Sequence, residues 1–268
     1  MTTRTLPFFR PRYYGPATTR AALTVVFGLV VILISAQRAQ AQSLSFELEP
    51  KPAALLARLS SEQLGILEKL NRADRTRLAR LARLVVPNRW DLDELDYSPL
   101  PRHHRPLESQ DKVIVVDLPS QVFGTYQHGD LLRWGPISSG SKADPTPPGL
   151  FHLNWRSPGR ASTLNPDWFM RWYFNFDSRA GRAFHAYELP GLPASHACLR
   201  MLERDARWLY VWGDEWTLGE RAWIVETQGT PVVLLGSYDF EAAPPWRSPA
   251  WLEHGVQLPS AAMTQLAQ

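Results

Sequence analysis

The sequence predicts a mostly β fold of the α+β class, with one helix after the single cysteine, Cys198, and a small helical segment before the β-rich part. Between Asp111 and Leu235, short runs of β-branched and aromatic residues are separated by turn residues, as is typical of strands. After Cys198, leucine and tryptophan recur at intervals of three or four, which predicts a helix. Leucines at similar intervals before residue 100 predict the helical segment.

Residues 45–100 are expected to form this helical accessory segment. Ser60 and Gln63 have the spacing of a capping box, and leucines on one face follow them. A second helix is predicted to begin near Asp74 and to end at Val85-Val86-Pro87. Its arginines are expected to form a solvated surface.

Three further regions complete the organisation. Residues 101–110, which include His103 and His104, are predicted to be a linker in which the histidines are solvated and hold no metal. Residues 111–240 are predicted to be the β-rich domain, and residues 241–268 a C-terminal tail.

The β-rich domain is expected to begin as an antiparallel meander of three strands, with a tight turn at His128-Gly129-Asp130. The predicted strands are Lys112–Leu118, Gln121–Gln127, Leu131–Ser138, Leu150–Trp155, Trp168–Phe176, Gly181–Tyr187 and Val232–Leu235.

The N-terminus has the layout of a secretory signal. Arginines without any acid precede an apolar stretch from Ala21 to Ile34, which ends near Ala39-Gln40-Ala41. We expect residues 1–41 to be a signal peptide, with an uncleaved anchor as the alternative. The protein is then exported, and any contact with a membrane is through this signal alone.

The charge of the chain is concentrated in the same region. Five of the 29 basic residues lie in residues 1–41, so the remainder holds 24 basic and 26 acidic residues. A folded part with this balance lacks the basic surface that nucleic acids require, and we expect no nucleic-acid partner.

Cys198 is the centre of a cluster of reactive side chains in Ser195-His196-Ala197-Cys198-Leu199-Arg200. A thiolate is a strong nucleophile, and a histidine can take the thiol proton near neutral pH. An exported protein with one cysteine has no internal disulfide partner, which favours a reactive thiol over a buried apolar one.

We expect Cys198 to lie where a loop enters the following helix. Free amides and the positive end of a helix would lower the pKa of the thiol and stabilise an oxyanion. Ser195 would either cap the turn or hold an imidazole. Arg200 would either bind a substrate carboxylate or pair with an internal acid.

Several of these features occur in the order found in one family. Pro193 to Met201, the upstream His185, Thr146-Pro147-Pro148-Gly149, the early strand pair from Val116 to Tyr126 and Gly229-Thr230-Pro231-Val232 together resemble the L,D-transpeptidase catalytic domain of the YkuD type. The resemblance covers about residues 111–236. It implies a β-rich fold with the cysteine in a cleft.

The resemblance also implies a function. Cys198 would attack a peptidoglycan stem peptide at the diamino acid in position three, with His185 ranked above His196 as the base. Ser195 and His196 would line the cleft, and Trp168 and Tyr173 would contact the stem or glycan unless they pack in a strand. The expected product is a crosslink or an attached amine, such as a wall-attached protein, in the periplasm or cell envelope of a bacterium. No cofactor is expected.

Two alternatives and two departures accompany this prediction. Water as the acceptor would make the protein an L,D-carboxypeptidase or endopeptidase, and loss of activity would leave a noncatalytic wall-binding protein. The family usually has glycine where Ala197 stands, and a positive φ there would cost an alanine about 1 kcal/mol or more. Only nine residues separate His185 from Ser195, fewer than in many members.

Overall fold

The computed structural model describes residues 43–221, 223–260 and 263, so the predicted signal peptide at 1–41 lies outside the described residues. The chain from Leu44 onward forms one compact unit. No helix in this described part is long and apolar enough to cross a membrane.

The mostly β fold predicted from the sequence is confirmed. The described strands are β1 (Phe46–Glu49), β2 (Leu84–Pro87), β3 (Val113–Asp117), β4 (Val122–Gln127), β5 (Asp130–Ser138), β6 (Gly149–His152), β7 (Arg156–Ala161), β8 (Phe169–Asp177), β9 (Arg182–Ala186), β10 (Leu199–Met201), β11 (Thr217–Leu218), β12 (Val225–Thr227) and β13 (Pro231–Leu235). The described α-helices are α1 (Pro52–Leu56), α2 (Ser61–Asn71), α3 (Arg75–Leu78), α4 (Glu203–Trp212) and α5 (Pro249–His254).

Nine strands form one mixed sheet in the order β6-β13-β3-β4-β5-β10-β9-β8-β7. The predicted meander is confirmed, because β3, β4 and β5 are antiparallel neighbours. Two pairs are parallel, β13 with β3 and β10 with β9. The second of these pairs sets the geometry of the candidate site.

Both faces of the central strands are buried, which explains their nearly continuous apolar sequence. In β3, Val113 and Val115 pack into a cluster shared with the accessory segment, whereas Ile114 and Val116 pack into a second cluster beneath α4. Alternate residues of a strand point to opposite faces, so one strand contributes to both cores.

The accessory segment, residues 45–100, is only partly helical. The capping box is present, since Ser60 accepts from the Gln63 amide and the Gln63 side chain accepts from the Ser60 amide. The predicted second helix, however, ends after one turn, and Leu84–Pro87 forms β2, which pairs with β1. The Asn71 side chain bonds both backbone groups of Val85, which holds this stretch in an extended conformation.

Residues 101–110 and the tail both pack against the domain. Leu107 is fully buried, and the His103 ring lies 2.7 Å from Asp130 and 3.0 Å from Glu108. In the tail, Trp246 and Leu252 join the same apolar cluster. The stretch predicted to be a linker is therefore a fixed part of the compact unit.

Candidate active site

Cys198 precedes a strand, and the prediction that it lies at a helix entrance is wrong. Leu199–Met201 forms β10, and α4 begins only at Glu203. The short strand is fixed by pairing on both sides, antiparallel with β5 and parallel with β9. Because such pairing depends on distant parts of the chain, the local sequence gave no sign of it.

Six of the seven predicted site residues line one cleft. Its lining residues are Ser162, Leu164, Trp168, Met170, His185, Tyr187, Ser195, His196, Cys198 and Arg200. The parallel register places Arg200 opposite His185 on adjacent strands, and Cys198 lies directly before β10 at the same end. Cys198 is half-buried and remains accessible from the cleft.

His185 is held in its neutral form. Its ring is buried, and Nδ1 lies 3.2 Å from the Ala186 carbonyl oxygen. A carbonyl can only accept, so Nδ1 carries the proton and Nε2 keeps its lone pair. Burial, together with the positive charge of Arg200, lowers the pKa of His185 to about 4.

The thiol of Cys198 is also neutral at rest. Burial raises the pKa of Cys198, while a hydrogen bond from the Ala183 backbone and the charges of Arg182 and Arg200 lower it in part. This corrects the expectation of a thiol pKa lowered by a helix end.

Ser195 fixes the loop that carries the cysteine. Its hydroxyl donates to the Cys198 carbonyl at 2.5 Å, and its amide donates to the Ser139 carbonyl at 3.0 Å. The Ser141 amide donates to the Ser195 carbonyl at 2.8 Å. Of the two predicted alternatives, capping the turn and holding an imidazole, the hydrogen bond from Ser195 to the Cys198 carbonyl is of the first kind, because it joins the two ends of the turn.

Thr146 is a supporting residue whose role the sequence analysis missed. Its hydroxyl accepts from the Gly140 amide at 2.9 Å and donates to the Ala197 carbonyl at 3.1 Å. The motif Thr146-Pro147-Pro148-Gly149 was noticed, but only the fold shows that its threonine reaches the cysteine loop.

Ala197 has φ +67°, in the left-handed region that favours glycine. The hydrogen bonds of Ser195 and Thr146 hold both ends of this strained peptide. The loop therefore keeps the geometry that a glycine would adopt freely, at the cost of backbone strain.

Replacing Ala197 with glycine should stabilise the protein. Relief of left-handed strain should raise the free energy of unfolding by about 1–2 kcal/mol, and the extra freedom of glycine in the unfolded chain should lower it by about 0.4–1 kcal/mol. We expect the free energy of unfolding in urea to rise by about 0.5–1 kcal/mol. Ala194→Gly is the control: Ala194 has no positive φ, so this variant should have a lower free energy of unfolding than wild type. Equal decreases in the free energy of unfolding of the two variants would contradict the strain at Ala197.

His196 is half-exposed at the mouth of the cleft. Its ring lies 5.0 Å from that of Trp168, and Nε2 is 3.9 Å from an Asp144 carboxylate oxygen. These contacts orient His196 toward the rim, and Trp168 forms part of the wall beside it.

Arg200 has no carboxylate partner among the described residues. Its guanidinium lies 4.7 Å from the centre of the Tyr187 ring and faces the cleft. Of the two predicted alternatives, pairing with an internal acid is therefore absent from the described part of the chain. The guanidinium edge is free to bind an anion.

Tyr173 lies outside the cleft lining and packs within β8, the second of its two predicted alternatives. It is 3% exposed, and its hydroxyl donates to the Gly181 carbonyl at 3.2 Å. The Cys198 sulfur is 3.9 Å from the same carbonyl oxygen. Tyr173 thus supports the turn beside the sulfur from behind.

The accessory segment braces the chain between the two catalytic candidates. The Asp74 amide donates to the Leu189 carbonyl at 3.0 Å, and the Asp74 carboxylate accepts from the Leu189 amide at 2.8 Å. Ala73 forms a β-bridge with Pro190. The short connection from His185 to Ser195 is therefore fixed to residues that precede the β-rich domain.

Buried His185 should make the protein sensitive to acid. In the unfolded chain this histidine takes up a proton near pH 6.5, whereas in the folded chain it resists protonation until about pH 4. Its contribution to stability is intact above pH 6.5 and is lost as the pH falls toward 4, because the unfolded state then binds more protons. The loss amounts to about 2–3 kcal/mol at pH 4.5.

Urea unfolding of wild type and His185→Gln at pH 7 and pH 4.5 measures this contribution. The carboxylates titrate in both proteins, so the difference between the two pH dependences isolates His185. Between pH 7 and pH 4.5, the free energy of unfolding should fall by about 2–3 kcal/mol less in the variant than in wild type. Identical pH dependences would show that His185 is solvated or already paired.

Comparison with known proteins supports the resemblance noted in the sequence. Residues 111–234 match the model of the YkuD family, the L,D-transpeptidase catalytic domain. A comparison with curated protein sequences gave no match.

Solved structures of L,D-transpeptidases are among those similar to the chain. The enzyme from Stackebrandtia nassauensis is 19% identical with a TM-score of 0.39, over 48% of this chain and 58% of that one. The enzyme from Xylanimonas cellulosilytica, represented by its residues 123–326, is 28% identical with a TM-score of 0.38, over 47% and 61%. The one from Mycobacterium smegmatis is 18% identical with a TM-score of 0.38, over 47% and 59%.

The matched part thus spans about three fifths of each of these structures. The family match covers strands β3 to β12, most of β13, the cleft and every predicted site residue. The chain therefore carries, over residues 111–234, a match to the YkuD family model of L,D-transpeptidase catalytic domains.

Proposed function

We propose that the protein is a cysteine-dependent L,D-transpeptidase that acts on peptidoglycan stem peptides through a thioester. One observation carries the proposal: a single cleft holds the Cys198 thiol, the neutral imidazole of His185 and the guanidinium of Arg200. A nucleophile, a base with a free lone pair and a carboxylate binder are the groups that acyl transfer from a peptide requires.

The reaction begins with acylation. The Cys198 sulfur attacks the carbonyl carbon of the diamino acid at stem position three, and the thiol proton passes to Nε2 of His185. The backbone amides of Ala197 and Cys198 take part in none of the loop hydrogen bonds of the described residues, which leaves them available to an oxyanion.

Acylation ends with departure of the terminal D-alanine. The imidazolium of His185 returns its proton to the leaving nitrogen as the carbon–nitrogen bond breaks. Burial of His185 makes its protonated form a strong acid, which favours this transfer. Arg200, opposite His185 in the strand register, binds the carboxylate of the leaving residue.

Deacylation transfers the donor to an amine. An amine of a second stem, or of a wall-attached protein, attacks the thioester carbon, the carbon–sulfur bond breaks, and the sulfur regains a proton through His185. No ATP is consumed, because the thioester keeps the acyl group activated. This suits the periplasm or cell envelope, to which we assign the protein on the basis of its predicted signal.

Water is the competing acceptor. Attack by water on the same thioester would give an L,D-carboxypeptidase, and the cleft residues described above serve both outcomes. A noncatalytic wall-binding role requires instead that Cys198 never becomes acylated.

Incubation of purified protein with stem tetrapeptides tests these outcomes together. We expect mass spectrometry to show an acyl-enzyme and a crosslinked peptide dimer. Tripeptide without dimer would identify a carboxypeptidase. Absence of any adduct, with the tetrapeptide or with a thiol-reactive carbapenem, would leave only the binding role.

A further inference from the structure

Arg160 is a second cation without an acidic partner near the cleft. It lies on β7, half-buried, with its guanidinium carbon 5.0 Å from the Tyr173 ring centre and 5.1 Å from that of Trp155. Within the described residues its guanidinium takes part in no ion pair and no hydrogen bond. A guanidinium stacked on aromatic rings keeps its N–H edge free for a carboxylate.

The strand register places Arg160 on the face of the sheet that carries the cleft. Arg160 pairs with Met170 of β8, and Met170 lines the cleft. Ser162, two residues after Arg160, lines it as well. Paired residues and residues two apart share a face, so Arg160 belongs to the same surface.

A bulge in β8 brings Tyr173 to that face. Trp172 has φ +55°, and the pairing with β9 is irregular between Arg171 and Phe174. Met170 pairs with Arg160 and Tyr173 pairs with Ser157, and next to this bulge the centre of the Tyr173 ring lies under the Arg160 guanidinium, 5.0 Å from its carbon. The guanidinium of Arg160 covers the Tyr173 ring. Its positive charge therefore lies where Tyr173 itself was predicted to contact the substrate.

Arg160 and Arg200 approach the surroundings of Cys198 from different strands. Arg200 is on β10, opposite His185, whereas Arg160 stacks on Tyr173, whose hydroxyl contacts the Gly181 carbonyl beside the sulfur. A substrate held over the sulfur would thus have two guanidinium groups in its surroundings that lack carboxylate partners in the described chain.

The direction of the reaction assigns each cation to one side of the scissile bond. His185 must protonate the leaving nitrogen, so the leaving residue lies on the side of His185 and Arg200. The part of the substrate that stays on the sulfur then extends toward Tyr173 and Arg160.

We propose that Arg160 is a specificity-determining residue that binds a free carboxylate on the side chain of the donor residue. This assignment rests on the proposed function. The assignment deepens that function by naming the substrate class: stem peptides whose diamino acid carries a side-chain carboxylate, in preference to peptides in which that group is amidated.

The test compares two tetrapeptides that differ only in this carboxylate, one free and one amidated. For the wild type, kcat/KM for acylation should be about 10- to 100-fold higher with the free acid, as expected for a charge-assisted pair. In Arg160→Gln the ratio should fall to about one, mainly through loss on the free acid. Arg160→Lys keeps the charge without the planar stack and should give an intermediate ratio.

Arg171→Gln is the matched control. Arg171 is on the neighbouring strand β8, is exposed, and pairs with Glu203 away from the cleft lining. Its variant should keep the wild-type ratio, and thermal unfolding should confirm that each variant is folded.

The outcomes separate this assignment from the function itself. Equal wild-type rates on the two peptides, or an unchanged ratio in both Arg160 variants, would overturn the role of Arg160 while leaving the transpeptidase intact. A wild type that neither peptide nor a carbapenem acylates would overturn the proposed function and this assignment with it.

Discussion

Cys198→Ser should abolish acyl transfer while leaving the fold in place. A serine hydroxyl gives up its proton far less readily than a thiol, and a histidine whose pKa is about 4 is too weak a base to activate it. We expect a loss of at least about 10⁴-fold in the acylation rate, as for removal of the nucleophile in other covalent enzymes. Mass spectrometry of the protein after exposure to a stem tetrapeptide measures the adduct directly.

Two controls make this result interpretable. Cys198→Ala removes the nucleophile altogether and should behave like the serine variant. The side chain is half-buried and small, so both variants should unfold within about 1–2 kcal/mol of wild type. Crosslinking that survives in either folded variant would show that another group carries the reaction.

The sequence identified which residues meet in this cleft better than it predicted their geometry. Cys198 and the two histidines were found because few residue types perform covalent catalysis, and their types are visible without a fold. The order of the motifs then predicted the β-rich fold. The capping box at Ser60 and the meander from Val113 to Ser138 depend on neighbours in the chain, and both are confirmed.

The features that were missed depend on pairing between distant segments. Leu199–Met201 is extended because β5 and β9 flank it, and its sequence alone resembles the first turn of a helix. Tyr173 was expected to contact the substrate unless it packs in a strand. In the structure its ring lies next to the bulge at Trp172 and is covered by the guanidinium of Arg160. Similarly, Asp74 contacts Leu189 across 115 positions, a contact that no local pattern indicates.

The pKa values of the two catalytic candidates constrain how they act together. A resting thiolate–imidazolium pair would need a thiol pKa below that of the imidazole. Here burial raises the pKa of Cys198 and lowers that of His185, so both groups rest neutral. In the proposed mechanism the pair therefore transfers a proton as the sulfur attacks, and alkylation of Cys198 by iodoacetamide without that help should be slow at neutral pH.

His185→Ala should slow acylation by about 10²–10⁴-fold, because it removes both the base for the thiol and the acid for the leaving nitrogen. The wild-type rate should rise with pH as His185 loses its proton near pH 4, well below the usual range of histidine, and this limb should vanish in the variant. Pre-steady-state acylation measured from pH 3.5 to 8 reports both effects.

His196→Ala provides the contrast within the same cleft. His196 is half-exposed and contacts Trp168 and Asp144, so its loss should alter substrate binding at the rim and preserve the limb near pH 4. If His196→Ala instead removed that limb while His185→Ala kept it, the exposed ring would be the base. Buried His185 would then contribute to packing alone. The proton transfers that we assign to His185 would have to be assigned to His196.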